Sequence, residues 1–186
     1  MRNYFFLAMT VLGSLVLSSC GSSKKVASPS MQPQTYVQPC SSFVTEKGFI
    51  RAWAVGISDT EMTAKKKANA EASAELASIL QKIVGTTIDN YCVTLSEGEI
   101  AESKSFLNEK TKITINQTLV GVHPVCDQWT PKDEKGMYRN YLVLELSGSE
   151  FLGQLNNELK KSASVQKVDQ ALLKEKFLQA IDDYQK

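Results

Sequence analysis

"GFIRAWAVGIS" runs from Gly48 to Ser58, and it reads as a strand with two unlike faces. Phe49, Arg51, Trp53, Val55 and Ile57 alternate with Ile50, Ala52, Ala54 and Gly56, the period-two pattern of a β-strand. One face is bulky and the other almost entirely small. Ser58-Asp59-Thr60-Glu61 follows as a capping-box start, where a side-chain oxygen meets the free N–H groups of a first helical turn. "TEMTAKKKANAEASAELASILQKIV", Thr60 to Val84, is then dense in good helix formers. Ala64, Ala68, Ala72, Leu76, Ile79, Leu80 and Ile83 fall on one helical face. Alanine in the first half lets the helix backbone approach a partner closely, and the small face of the strand is the natural partner.

Downstream, "TTIDNYCV" can prolong this helix. Ser96-x-x-Glu99 is a second capped start, and the polar helix formers after it predict a helix returning antiparallel to the first. Thr111 to Thr118, with Ile113 and Ile115 alternating, also reads as strand. A hairpin follows: "TLVGVHPVCDQW" (Thr118 to Trp129), a polar turn "TPKDEKG", and "MYRNYLVLEL" (Met137 to Leu146). Pro124 within the first arm points to an edge strand or a bulge, since proline cannot donate to a ladder. Ser147-Gly148-Ser149-Glu150 starts another helix. "EFLGQLNNELKK" carries a stripe of Phe151, Leu155 and Leu159; "SVQKVDQALLKEKFLQAIDDYQ" carries Val165, Val168, Leu172 and Ile181. The expected fold class is α+β, about three antiparallel strands packed on a long Ala-rich helix and further helices. The domain is expected over 43–160, with a C-terminal amphipathic helix over 161–186 packed on it or extending it.

Upstream the character changes. Met1-Arg2-Asn3 is a short basic segment, and Tyr4 to Leu17 is apolar except for Thr10 and Ser14. That run is short of the ~20 apolar residues a membrane-spanning helix needs, and it has the proportions of a signal peptide. Leu17-Ser18-Ser19-Cys20 resembles the bacterial lipobox: a Leu, two small residues and a Cys. In that chemistry the Cys thiol receives a diacylglycerol, the leader is cleaved before the Cys, and the freed amine is acylated. Each buried methylene contributes ~0.8 kcal/mol, so two or three chains anchor stably where one is marginal. Residues 1–19 are therefore expected to be a removed leader and Cys20 the lipidated first residue. Over 20–42 the sequence is rich in Ser, Pro, Gln and Lys, the composition of a flexible tether that would span ~25 Å.

With Cys20 assigned to lipid, Cys40, Cys92 and Cys126 remain. An exported protein meets an oxidising compartment, so one disulfide and one leftover thiol are expected. Three pairings exist, and three unpaired buried cysteines are a further alternative. Topology favours Cys40 with Cys126: if the middle helices run out and back, the Cys126 end of its strand lies near the start of the first strand, where Cys40 enters. The spacings match no zinc pattern.

The 21 Lys+Arg and 20 Asp+Glu nearly cancel, which disfavours nucleic acid as a partner because it calls for a strongly basic face. Lys65-Lys66-Lys67 reads as a solvated face offset by Glu61, Glu71 and Glu75. His123 is the only histidine, and no nucleophile motif or glycine-rich phosphate loop accompanies it. Asp133-Glu134 and Asp182-Asp183 read as solvated charge. Trp53, Trp129 and Tyr138 would make a ligand-stacking surface if a concave site exposed at least two of them, although packing on the sheet is the plainer reading for strand aromatics. No catalytic, metal or cofactor site is expected beyond the covalent lipid on Cys20.

The order of a lipobox, "RAWAVGIS", "AKKKANAEASAELASIL", "QTLVGVHPV" and "YRNYLVLEL" resembles the LPP-twenty family of small bacterial envelope lipoproteins, over Phe49 to about Leu159. The resemblance implies a Gram-negative source, an outer-membrane or surface lipoprotein, and no catalytic residues. Gly21 after the lipidated position resembles the outer-membrane sorting class, and the absence of an acidic run after Cys20 favours a periplasm-facing location while leaving surface exposure open. The expected function is a non-enzymatic structural or interaction module, held to the membrane by its N-terminal lipid and meeting another envelope protein. The alternative is a small-ligand or glycan-binding lipoprotein that uses exposed aromatics.

Overall fold

A computed structural model describes residues 37–43, 46–161 and 168–186. The leader, Cys20 and most of the expected tether lie outside these residues. The elements run β1 (Phe49–Ser58), α1 (Glu61–Cys92), α2 (Glu97–Val120), β2 (His123–Thr130), β3 (Tyr138–Ser147), α3 (Gly148–Lys160) and α4 (Gln170–Tyr184). The three strands form one antiparallel sheet in the order β1-β3-β2. The protein is α+β, with helices packed on the sheet.

The two-faced pattern of β1 sets this arrangement. Ile50, Ala52, Ala54, Gly56 and Ser58 are buried, and opposite them on β3 stand Leu146, Leu144, Leu142, Asn140 and Tyr138. This face receives α1 through Ala64, Ala68, Ala72 and Leu76. A Cβ placed on Gly56 would lie 1.8 Å from the Ala64 carbonyl oxygen and 2.5 Å from the Ala68 nitrogen. The strand needs glycine there because helix backbone occupies the place of a side chain. Thr60 caps α1, its Oγ1 accepting from the Thr63 N–H at 3.4 Å. The helix continues past Val84 through "TTIDNYC" to Cys92.

The segment 111–118 is helix, not strand. Thr111, Thr114 and Thr118 are buried on one side of α2, and their hydroxyls donate to the carbonyls of Leu107, Lys110 and Thr114. That back-bonding satisfies hydroxyls which would otherwise disfavour a helix interior. The spacing of the buried threonines is helical, and the alternation of Ile113 and Ile115 is incidental. The first hairpin arm accordingly starts at His123 rather than Thr118; "TLV" is the last turn of α2. β2 is an edge strand and also carries an irregularity between Pro124 and Cys126.

α4 begins at Gln170, where Asp169 Oδ1 accepts from the N–H groups of Ala171 and Leu172. Val165 lies outside the described residues. Leu173, Phe177, Ala180 and Ile181 of α4 belong to the same core as α1 and α3, and Phe177 stacks on Phe151 with ring centroids 5.2 Å apart. The C-terminal helix is thus part of the domain core.

Candidate functional site

The outer face of the sheet is the one α1 leaves uncovered. It carries Arg51, Trp53 and Val55 of β1, opposite Glu145, Val143 and Tyr141 of β3. Tyr141 and Val143 are buried there with Cys40 and Cys126, and Phe43 and Val55 pack against them. Cys40 is disulfide-bonded to Cys126. The bond ties the segment preceding β1 to β2, the edge strand. Cys40 holds φ at +63°, a left-handed conformation that costs a non-glycine residue about 1–2 kcal/mol and persists because the bond and the packing fix it. Cys92 is the leftover cysteine, free and buried at the end of α1. Burial pushes its thiol up, against a smaller lowering by Lys104, so it is a weak nucleophile.

Arg51 crosses the outer face. Its Nε donates to Glu145 Oε2 at 2.6 Å, and one terminal nitrogen pairs with Glu46 at 2.9 Å. The cross-strand register makes this pair, since Arg51 stands directly opposite Glu145.

The same register places the three aromatics. Trp53 lies on the outer face, opposite Val143 and 6.2 Å from the Tyr141 ring centroid. Trp129 and Tyr138 lie on the other face: Trp129 stands opposite Asn140 and Tyr138 opposite Ser58, both on the helix side. Strand alternation places residues of opposite parity on opposite faces, so the sheet separates Trp53 from the other two. Trp53 is 42% and Trp129 39% exposed. Lys132 Nζ sits 4.7 Å above the Tyr138 ring and occupies one of its faces.

The charge on α1 is also distributed differently from the expected self-compensating face. Lys65 Nζ donates to Asp127 Oδ2 of β2 at 2.6 Å, and Asn140 Nδ2 donates to the other carboxylate oxygen at 2.6 Å. Burial pushes the Asp127 carboxyl up, but Lys65 and Asn140 together outweigh it and hold it below the usual range. Lys67 Nζ donates to the Ile57 carbonyl at 3.0 Å. Glu71 and Glu75 form no ion pair among the described residues. They instead line a groove of about 570 Å³ along the free side of β1, together with Ile79, Arg51, Trp53 and Val55. Sequence reading missed this groove. Its signal was the pair Glu71 and Glu75 one turn apart beside a strand without proline or lysine.

His123 is exposed at the start of β2, and no group of three or more His, Cys, Asp or Glu is placed to hold a metal ion among the described residues. Asp133 is a turn residue: its Oδ1 accepts from the Met137 and Lys135 N–H groups, and Arg139 pairs with its other oxygen. Asp182 and Asp183 pair with Lys47 and Lys186. These carboxylates are engaged in local structure. No helix among the described residues is long and apolar enough to cross a membrane. No protein-family model, curated protein or solved structure matches the chain.

Proposed function

We propose that the protein is a bacterial envelope lipoprotein, anchored through lipid on Cys20, whose α+β domain is a non-enzymatic interaction module. The single observation that carries the reading is Leu17-Ser18-Ser19-Cys20 at the end of a short apolar run, the arrangement of a lipobox. The Cys40–Cys126 bond supports an oxidising compartment. Placed twenty residues after Cys20, Cys40 is also the point where a tether would be made fast to the domain. The side chains that carry charge or aromatic surface are distributed over a sheet face and a strand edge rather than gathered around a nucleophile, which suits contact with another macromolecule. An outer-membrane position, supported by Gly21, and a periplasm-facing one, supported by the lack of an acidic run after Cys20, belong to the same proposal, which leaves surface exposure open.

The ligand-stacking alternative needs a concave site with at least two exposed aromatics, and the two exposed tryptophans, Trp53 and Trp129, lie on opposite faces of the sheet. The interaction reading is therefore preferred.

The test is fractionation of cells expressing the wild-type chain or Cys20→Ala, with metabolic incorporation of an alkyne-bearing palmitate. Wild type is expected in the detergent-extracted membrane fraction with label attached. Cys20→Ala is expected to lose the label and to leave the outer-membrane fraction. Equal labelling of both would overturn the anchor.

A further inference from the structure

The two edges of the sheet are treated differently. β2 is protected by Pro124, by its irregularity and by the disulfide, devices that stop an edge from pairing with another strand. β1 has ten residues, no proline and no lysine, and its one charge, Arg51, is turned to Glu145 and Glu46.

The direction of the β1 main chain follows from its bonds. Gly48 O accepts from Gly148 N at 2.9 Å. Residues of an antiparallel pair alternate between exchanging both ladder bonds and exchanging none. Ile50, Ala52, Ala54, Gly56 and Ser58 therefore bond to β3, and the alternate residues turn N–H and C=O to the free side. Two independent contacts agree: Gln185 Nε2 reaches Phe49 O at 2.7 Å, and Lys67 Nζ reaches Ile57 O at 3.0 Å. These side chains occupy carbonyls at the two ends of the free edge. Between them, the N–H and C=O groups of Trp53 and Val55 have no protein partner among the described residues. The groove lies along this window.

The geometry points to the β1 edge as a docking site for an extended segment of a partner protein, one that alternates basic with apolar side chains. The inference deepens the reading of the domain as an interaction module and rests on it. An added strand would bond to Trp53 and Val55 through its main chain, which supplies affinity, while its side chains read the walls. Those on the helix side would stand beside Ala52 and Ala54, whose small size leaves them facing Glu71 and Glu75. These carboxylates, at i and i+4, repel one another, and Lys or Arg between them removes that cost. Side chains on the outer side would lie against Trp53 and Val55, so apolar residues suit that register.

A second copy fits less well. Pairing β1 with β1 about a twofold axis brings Glu71 and Glu75 of both copies to one seam, while the Arg51 of each copy stays paired with Glu145 and Glu46. Lys24-Lys25 of the same chain also fits less well, because adjacent residues of a strand point to opposite faces and only one could meet the carboxylates.

The test uses the full chain in detergent micelles with its backbone amides followed by NMR, and a short synthetic peptide alternating Lys and Val. The peptide is expected to slow hydrogen exchange at the Trp53 and Val55 amides by about tenfold or more, since exchange reports the fraction of amides left open. Glu71→Gln with Glu75→Gln is expected to weaken its affinity by about tenfold or more. Val55→Pro removes a donor on the free side without touching the bonds to β3 and is expected to abolish binding. If that variant does not fold, a Lys/Val peptide N-methylated on alternate amides serves instead, in each of its two registers, and one of them must fail to bind.

Several results overturn the inference. They are no binding, equal binding of a Glu/Val peptide, or protection of Trp53 and Val55 that rises with protein concentration and marks a second copy. Protection without peptide that is lost in Lys24→Ser with Lys25→Ser would assign the edge to the chain's own tether. These readouts do not depend on Cys20, so failure of the anchor and failure of the edge are separately visible.

Discussion

Gly56 and Ala64 stand so close that the space for a β-carbon at Gly56 is filled by the Ala64 carbonyl, at 1.8 Å. The contact joins the strand to the helix that covers it. Ala52 and Ala54 on the strand, and Ala68 and Ala72 on the helix, continue the same close seam. Interiors packed at this density do not absorb added volume without moving backbone.

Gly56→Ala is expected to destabilise the fold by about 3 kcal/mol or more, the cost of forcing volume into a tight core. Urea unfolding followed by circular dichroism measures it. Gly85→Ala is the control: a Cβ there meets nothing within 4 Å, and replacing a helical glycine is expected to stabilise by about 0.5–1 kcal/mol. Equal effects of the two substitutions would contradict the seam.

Much of this was legible in the sequence because it follows from short-range periodicity. The alternation in "FIRAWAVGIS" and the alanine spacing of Ala64, Ala68 and Ala72 were sufficient to pair one face of the strand with the helix. Pro124 announced an edge or a bulge, and the structure has both. Thr111, Thr114 and Thr118 were ambiguous because threonine favours strands until its hydroxyl finds a carbonyl one turn back, a property of the folded helix. The positions of Trp53 and Trp129 on opposite faces were also hidden. They depend on how β1 and β2 register on β3, with an irregularity between Pro124 and Cys126 shifting parity. Glu71 and Glu75 looked like partners for the nearby lysines, but Lys65 reaches Asp127, which is distant in sequence, and Lys67 reaches a main-chain carbonyl, that of Ile57.

Replacing Cys40 and Cys126 together by Ala is expected to cost about 2–5 kcal/mol, the usual range for a native disulfide. The bond closes a loop with a sequence separation of 86. Reductant is expected to lower the unfolding midpoint of wild type and to leave the double variant unchanged. A wild type indifferent to reductant in the same assay would show that the bond does not stabilise the domain.

Acid is expected to weaken the link between α1 and β2. Asp127 has a folded pKa below its ordinary value, so its contribution is present above about pH 4, the unfolded carboxylate range, and is lost as pH falls through the lowered value. The urea midpoint of wild type is therefore expected to fall more between pH 6 and pH 3, about the span of this titration, than that of Asp127→Asn. Identical losses would place the acid sensitivity elsewhere.

The central claim is that Cys20 begins the mature chain and holds its lipid. Tandem mass spectrometry of the N-terminal peptide, taken from protein extracted from native membranes, tests it most directly. The expected peptide begins at residue 20, carries a thioether-linked diacylglycerol and an acylated amine, and lacks residues 1–19. A peptide with an unmodified Cys20, or one continuous with Ser18 and Ser19, would contradict it.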